Sequence, residues 1–272
     1  LGDIFGKFGE GEKYEMTYSD ADTANSTGGG TDWNTFAYDL SKTPVSMAGK
    51  YPIADITQPE AITSCQKMGG YLITNNQWMT IARNIEEQKS NYISGGPGTG
   101  ILKTGVSDSD NGCGNTSYTK SIYTGLSRNW ATKTGGGFGN TACDNKRQLK
   151  LSNGETIWDL SGNVWEHVNK SNTIDGTNYN NGETAVSGSS AGTNRDDDGI
   201  YAITDMDKYG SKYHLGKANG MGNLYYANGV ANNIFIRGGR AAYGTHAGVF
   251  TLILSGTSTN YRRNMGFRCV TF

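Results

Sequence analysis

Nucleophilic and general-base chemistry near neutral pH draws first on cysteine and histidine. This 272-residue chain has four cysteines and three histidines. His167, His214 and His246 stand far apart in sequence, with no nucleophile spaced beside any of them. Histidines so isolated read as structural or solvated. Cys65, Cys113, Cys143 and Cys269 form no C-x-x-C pair, which argues against a zinc site or thioredoxin-like redox chemistry. An even number of cysteines suits two disulfides in an oxidising setting, with free buried thiols as the alternative. A Cys113–Cys143 bridge would close a loop of about 30 residues and contribute roughly 3–4 kcal/mol on the chain-entropy account. Five carboxylates cluster in Asn194-Arg-Asp-Asp-Asp-Gly199 and Asp205-Met-Asp207. Calcium prefers such hard oxygens. The spacing departs from the EF-hand loop, so the reading is a solvated acidic loop with a structural calcium left open and no other cofactor. Asn-x-Ser/Thr sequons at Asn25, Asn115 and Asn169 are what chance produces in a chain so rich in Asn and Thr.

The elements that must position these groups are economical. Hydrophobic residues make up 35% of the chain and mean hydropathy is -0.57, yet only 18% of residues are charged, unlike a disordered chain. Forty glycines point to a loop-rich protein, while 16 Tyr and five Trp supply large buried area per residue. A net charge of -1 leaves no electrostatic footprint for nucleic acid. No apolar run approaches the ~20 residues of a membrane span, so no membrane contact is expected of this segment. The chain begins at Leu1 rather than Met, which leaves room for a leader or anchor upstream.

Local signals sharpen after residue 50. Thr57-Gln-Pro-Glu60 fits a capping box, and Ala61, Ile62, Cys65 and Met68 then share a helical face that Gly69-Gly70 ends. Cys65 thus points inward. Thr74-Asn-Asn-Gln77 repeats the capping pattern ahead of Trp78, Ile81, Ala82 and Ile85, with Arg83, Glu86, Glu87 and Lys89 on the solvent side. Residues 91–140 read mostly as loop. Arg147 to Leu151 alternates like a strand, Ser152-Asn-Gly-Glu155 like a hairpin turn, and Thr156 to Trp158 resumes extended structure. In the turn that follows, Asp159 and Asn163 are suited to bonding local backbone around Gly162, and Trp165 and Val168 to entering the core. Near the C-terminus, Ala247 to Leu254 reads as a strand, with Phe250, Leu252 and Leu254 on one face and Val249, Thr251 and Ile253 on the other. If the first face is core, Ile253 is an exposed β-branched residue; the alternative buries Ile253.

Gly162-Asn-Val-Trp-Glu166, Arg237-Gly-Gly239 and Gly266-Phe-Arg-Cys269 occur in that order, preceded by Leu72-Ile-Thr-Asn-Asn-Gln-Trp78. Together these resemble the formylglycine-generating-enzyme branch of the C-type lectin fold, over roughly residues 51–272. The resemblance implies an α+β, loop-rich, C-type lectin-like domain with two helices packed on short antiparallel sheets, behind a lead-in segment of residues 1–50. It also implies a Cys65–Cys269 disulfide, because the last strand of that fold lies near the first helix. Within the branch, the C-terminal stretch is similar to the variable proteins of diversity-generating retroelements. In that family adenine randomisation of Asn codons yields nearly any residue except Lys, Glu, Gln, Met or Trp, and the interval Arg240 to Asn264 contains none of those five. The resemblance places a variable region at about 237–269, with Ala247 to Leu252 as constant framework. Arg240, Ala242, Tyr243, His246, Ile253, Gly256, Asn260, Tyr261, Arg262 and Arg263 stand where such proteins vary.

The resemblance implies a ligand-binding display protein, on a cell surface or secreted, whose partner is a protein or a surface glycan. Tyr and Arg among the varying positions suit hot-spot binding. An oxidase like the formylglycine-generating enzyme would need a cysteine pair just after Arg237-Gly-Gly239, and Arg240 to His246 holds none. His167 replaces the aromatic residue usual after Trp-Glu in the family and reads as a packing substitution. A calcium-dependent sugar lectin would need Glu-Pro-Asn and Trp-Asn-Asp motifs, which are absent; Gln58-Pro-Glu60 sits at a helix start.

Overall fold

The computed structural model describes residues 13–21, 35–105, 107, 147–171, 173–174, 177–178, 210–213, 215–225, 233–241 and 243–271. Cys113, Cys143, His214, Ala242, the acidic cluster at 196–207 and the sequons at Asn25 and Asn115 lie outside the described residues.

Four short strands, β1 (Met16–Thr17), β2 (Phe36–Ala37), β3 (Val45–Ser46) and β4 (Ile53–Ala54), precede helix α1 (Gln58–Lys67). Strand β5 (Tyr71–Leu72) leads into α2 (Asn75–Glu86). Then come β6 (Tyr92–Ser94) with β7 (Ile101–Leu102), and β8 (Gln148–Lys150) with β9 (Thr156–Trp158), each an antiparallel pair. The longest strand, β10 (Trp165–Ser171), is followed by the antiparallel pair β11 (Thr173–Ile174) and β12 (Thr177–Asn178). The C-terminal third supplies β13 (Leu224–Tyr225), β14 (Asn233–Arg237), β15 (Leu252–Thr257), β16 (Met265–Phe267) and β17 (Cys269–Val270). The described residues form an α+β, loop-rich structure with two helices and short sheets.

Both helices start where the capping residues dictate. Thr57 accepts from the Glu60 N–H while Glu60 Oε2 accepts from the Thr57 N–H at 2.8 Å. Thr74 and Gln77 repeat the arrangement, with Gln77 Oε1 accepting from the Thr74 N–H at 2.9 Å. Each cap contributes about 1 kcal/mol.

The central sheet runs β13-β15-β14-β10-β16. It is mixed rather than antiparallel throughout, because β16 joins β10 and β13 joins β15 in parallel. Its inner face packs on α2. Trp78, Ile81, Ala82 and Ile85 meet Val168, Phe235, Phe250 and Leu252 in the main apolar cluster. A second cluster joins Met16, Tyr18, Phe36 and Ile53 to Ala61, Cys65, Phe267 and Cys269, so the described part of the first fifty residues is built into the core. There Cys65 and Cys269 form a disulfide with Cα atoms 5.4 Å apart, tying α1 to β17. β17 in turn pairs with β5, placing Cys269 opposite Leu72.

Four local expectations change. The strand expected from Ala247 starts at Leu252, because residues 247–251 turn over Met221: the Phe250 N–H bonds Met221 O at 3.1 Å and the Thr251 N–H bonds Gly248 O at 3.0 Å. In a turn the period of two does not apply, so Val249 and Phe250 are both fully buried. Glu86, expected on the solvent side of α2, is also fully buried and accepts from Ser211 Oγ at 2.7 Å and the Lys212 N–H at 3.1 Å. Asp159 holds Arg147 through two bonds of 2.7 and 2.6 Å rather than only local backbone. Finally, Trp165 and Val168 are both buried but, three residues apart on a strand, on opposite faces; only Val168 joins the main cluster.

Candidate binding surface

The three ordered motifs of the sequence become neighbours in the sheet. On β10, Glu166 lies opposite Arg237 of β14 on one side and Gly266 of β16 on the other. Arg268 donates to Glu166 at 2.8 and 3.1 Å and to Trp158 O at 2.9 Å, and this pair is fully buried. The Arg237 guanidinium is fully buried too, donating to Asn75 Oδ1 at 2.6 and 3.1 Å and to Phe250 O at 3.0 Å. Gly238 and Gly239 both take φ of 87°. That left-handed conformation strains any side chain. A Cβ on Gly239 would also sit 2.7 Å from Ala247 Cα. Gly238 O accepts from the Gly162 and Gly248 N–H groups at 3.1 and 3.2 Å, locking the turn before β10 onto the turn before β15. Trp78 braces the same place from below, donating its Nε1–H to Val249 O at 2.7 Å.

Charge in this frame is concentrated and dry. Glu15 accepts from Asn163 Nδ2 and, at 3.2 Å, from the Val164 N–H. Burial pushes its carboxyl well above the usual range, and the neighbouring charges of Asp159 and Glu166 add to this. Burial also raises Glu166, against the pull of Arg268. His167 donates from Nε2 to Ile56 O at 2.9 Å; burial pushes its pKa down to about 4, so the ring is neutral. It is therefore a hydrogen-bonded anchor to the segment between β4 and α1 as well as a packing residue.

The outer face of the sheet carries a small third cluster of Trp165, Ile234, Ile236 and Met265, with Tyr243 and Ile253 packed against it half-buried. Here the expected site residues gather. Tyr243 meets Trp165 edge-on with ring centroids 4.9 Å apart, and His246 lies 5.7 Å from Tyr243 on its other side. The Arg240 guanidinium sits 4.8 Å over the Tyr243 ring. Thr251 Oγ1 donates to His246 O at 2.7 Å and so fixes the base of this loop.

The remaining candidates lie on residues 258–264. β15 and β16 run parallel but are separated by β14 and β10. The connection therefore crosses three interstrand spacings, about 14 Å. It passes over the outer face, since a Cβ built on Gly256 would sit 3.1 Å from Ile236 Cδ1 and 3.5 Å from Asn260 Nδ2. Gly256 itself is buried beneath the loop and presents no side chain. Backbone bonds pin the far end: Arg262 O accepts from the Asp55 and Met265 N–H groups at 3.1 and 2.9 Å, and Arg263 O accepts from Thr35 Oγ1 at 2.9 Å. Tyr261 is 63% exposed, Arg262 is exposed, and Asn260 and Arg263 are half-buried.

Thus Tyr243 and Ile253 pack on the Trp165 cluster with Arg240 and His246 against Tyr243, and Asn260 to Arg263 form a second rim. The sequence reading missed Trp165 as the platform of this surface, and Glu15 and Arg147 in the frame. Alternation from Val168 would have turned Trp165 outward; nothing local to Glu15 marks its long-range role. Neither cysteine of the C-terminal frame and first helix is a free thiol, and no group of three His, Cys, Asp or Glu suited to a metal occurs among the described residues. No helix among the described residues is long and apolar enough to cross a membrane. What the surface offers chemically is contact, through aromatic faces, guanidinium forks and a β-branched side chain on a fixed base. No protein-family model matches the chain, and neither does any curated protein.

Proposed function

We propose that this chain is a ligand-binding display protein with a C-type lectin-like fold, of the kind diversified by a retroelement, acting on a cell surface or after secretion. Its interface is the outer face of the central sheet, and it works by shape and hot-spot complementarity without a chemical step. The observation that carries this reading is the partition of the C-terminal stretch. Arg237, Ala247 to Leu252 and Met265 to Cys269 are buried, whereas eight of the ten positions assigned to variation reach the surface at least in part, from Arg240 to Arg263. Residues that vary freely must not hold the fold, and residues that bind must be reachable; this arrangement meets both demands.

The test is the encoding locus. The proposal expects a near-identical repeat of the segment for residues 237–269, differing only at adenines in the codons for the varying positions, beside a reverse transcriptase gene. A locus without such a repeat would overturn diversification.

A further inference from the structure

Resting on that reading, we infer that the surface this chain presents takes an acidic protein segment, one that sets Asp or Glu carboxylates beside an apolar or aromatic side chain. The interval Arg240 to Asn264 contains three arginines and no Asp or Glu. Outside it, 21 of the 24 basic residues face all 25 acidic ones, a net charge of -4. The binding face is thus a basic island on an acidic body, which attracts acidic partners.

The arginines are held differently, and the difference points to carboxylates on a protein. The Arg240 guanidinium sits over the Tyr243 ring and donates to Ala241 O at 3.2 Å. Arginine suits carboxylates because its planar fork can meet one through two parallel bonds. Arg262 projects from the exposed tip beside Tyr261. Arg263 is half-buried; burial raises the carboxyl of Asp55, and the charge of Arg263 partly offsets that rise. Three arginines are too few for a polyanion held by its charge alone, where affinity scales with the number of cations engaged. Tyr243 and Ile253, half-buried on the outer cluster, and the exposed Tyr261 offer apolar surface that suits an apolar side chain of the partner.

A random-peptide display library selected on the immobilised chain tests this, with dextran sulfate as the competing polyanion. The expected result is enrichment of peptides with Asp or Glu next to Phe, Tyr, Leu or Ile. Their binding should weaken about tenfold between roughly 50 and 300 mM NaCl. Arg262→Ala and Tyr261→Ala should each weaken it by about tenfold or more. Peptides that lose affinity in those variants but carry no acidic bias would overturn the charge inference and leave the display reading intact. Peptides indifferent to substitution at Arg240, Tyr243, Tyr261 and Arg262 would overturn both. Failure to enrich any peptide, whether or not dextran sulfate binds, would overturn the acidic-protein partner.

Discussion

The inner face of the central sheet meets α2 through Val168, Phe235 and Leu252, all at most 4% exposed, whereas the outer face is covered by Tyr243, Ile253 and the crossing loop, all partly open to solvent. One sheet therefore carries a core on one side and, on the proposed reading, an interface on the other. The inner side holds buried charged groups in specific pairings, such as Arg237 with Asn75 and Arg268 with Glu166. The outer side is held chiefly by backbone: Gly238 O, Arg262 O and Arg263 O anchor the loops regardless of which side chains they display. This teaches how a fold tolerates change at a binding site. Fixing the loops through main-chain bonds frees their side chains from structural duty.

Substitutions on the two sides should separate accordingly. The largest effect belongs to Arg268→Ala, which strands the buried Glu166 carboxylate and should cost about 3–5 kcal/mol in urea unfolding. Next comes the pH response of His167. Its pKa falls from 6.5 to about 4 in the native state, so the unfolded chain takes up a proton that the folded chain refuses. Stability from this group is present at neutral pH and is lost as pH falls through that window, by about 3 kcal/mol. Glu15 works in the opposite sense. Its raised carboxyl costs stability as pH rises above the ordinary carboxylate range, so the two slopes partly cancel in the whole protein. Comparison with His167→Phe isolates the first: the stability difference between wild type and variant should shrink by about 3 kcal/mol between pH 6.5 and about 4, and a flat difference would contradict a neutral buried ring. Tyr243→Ala should cost about 1 kcal/mol, because it removes the edge-on contact with Trp165 from a half-buried site. Smallest of all, Tyr261→Ala and Arg262→Ala should each change thermal-unfolding stability by no more than about 0.5 kcal/mol. A loss of several kcal/mol at Tyr261 would erase the distinction between the two faces.

Much of the frame was legible because its determinants are local. Thr57 with Glu60 and Thr74 with Gln77 lie within one helical turn and marked both helix starts. The hairpin of β8 and β9 followed from alternation around Ser152 to Glu155. The Cys65–Cys269 bridge came from the resemblance alone, since nothing within either cysteine's neighbourhood names a partner 204 residues away. The same distance hid Glu15, whose role depends on Asn163 and Val164, and Glu86, whose polar partners arrive from Ser211 and Lys212. The start of β15 was misplaced because a turn over Met221 buries successive residues as a strand does not. Of the site, the division between Leu252 inward and Ile253 outward was readable from alternation, but the crossing of residues 258–264 over the outer face depends on sheet order, which no single segment encodes.

The central claim is that the fold is indifferent to what its outer loops display. Two libraries test it directly. One randomises Arg240, Tyr243, His246, Ile253, Tyr261, Arg262 and Arg263; the other randomises an equal number of frame positions among Arg237 to Gly239, Gly248 to Leu252 and Gly266 to Cys269. The measurement is the fraction of members displayed in a protease-resistant form. The account predicts that most of the first library and few of the second survive. Equal survival, or collapse of the first library, would contradict it.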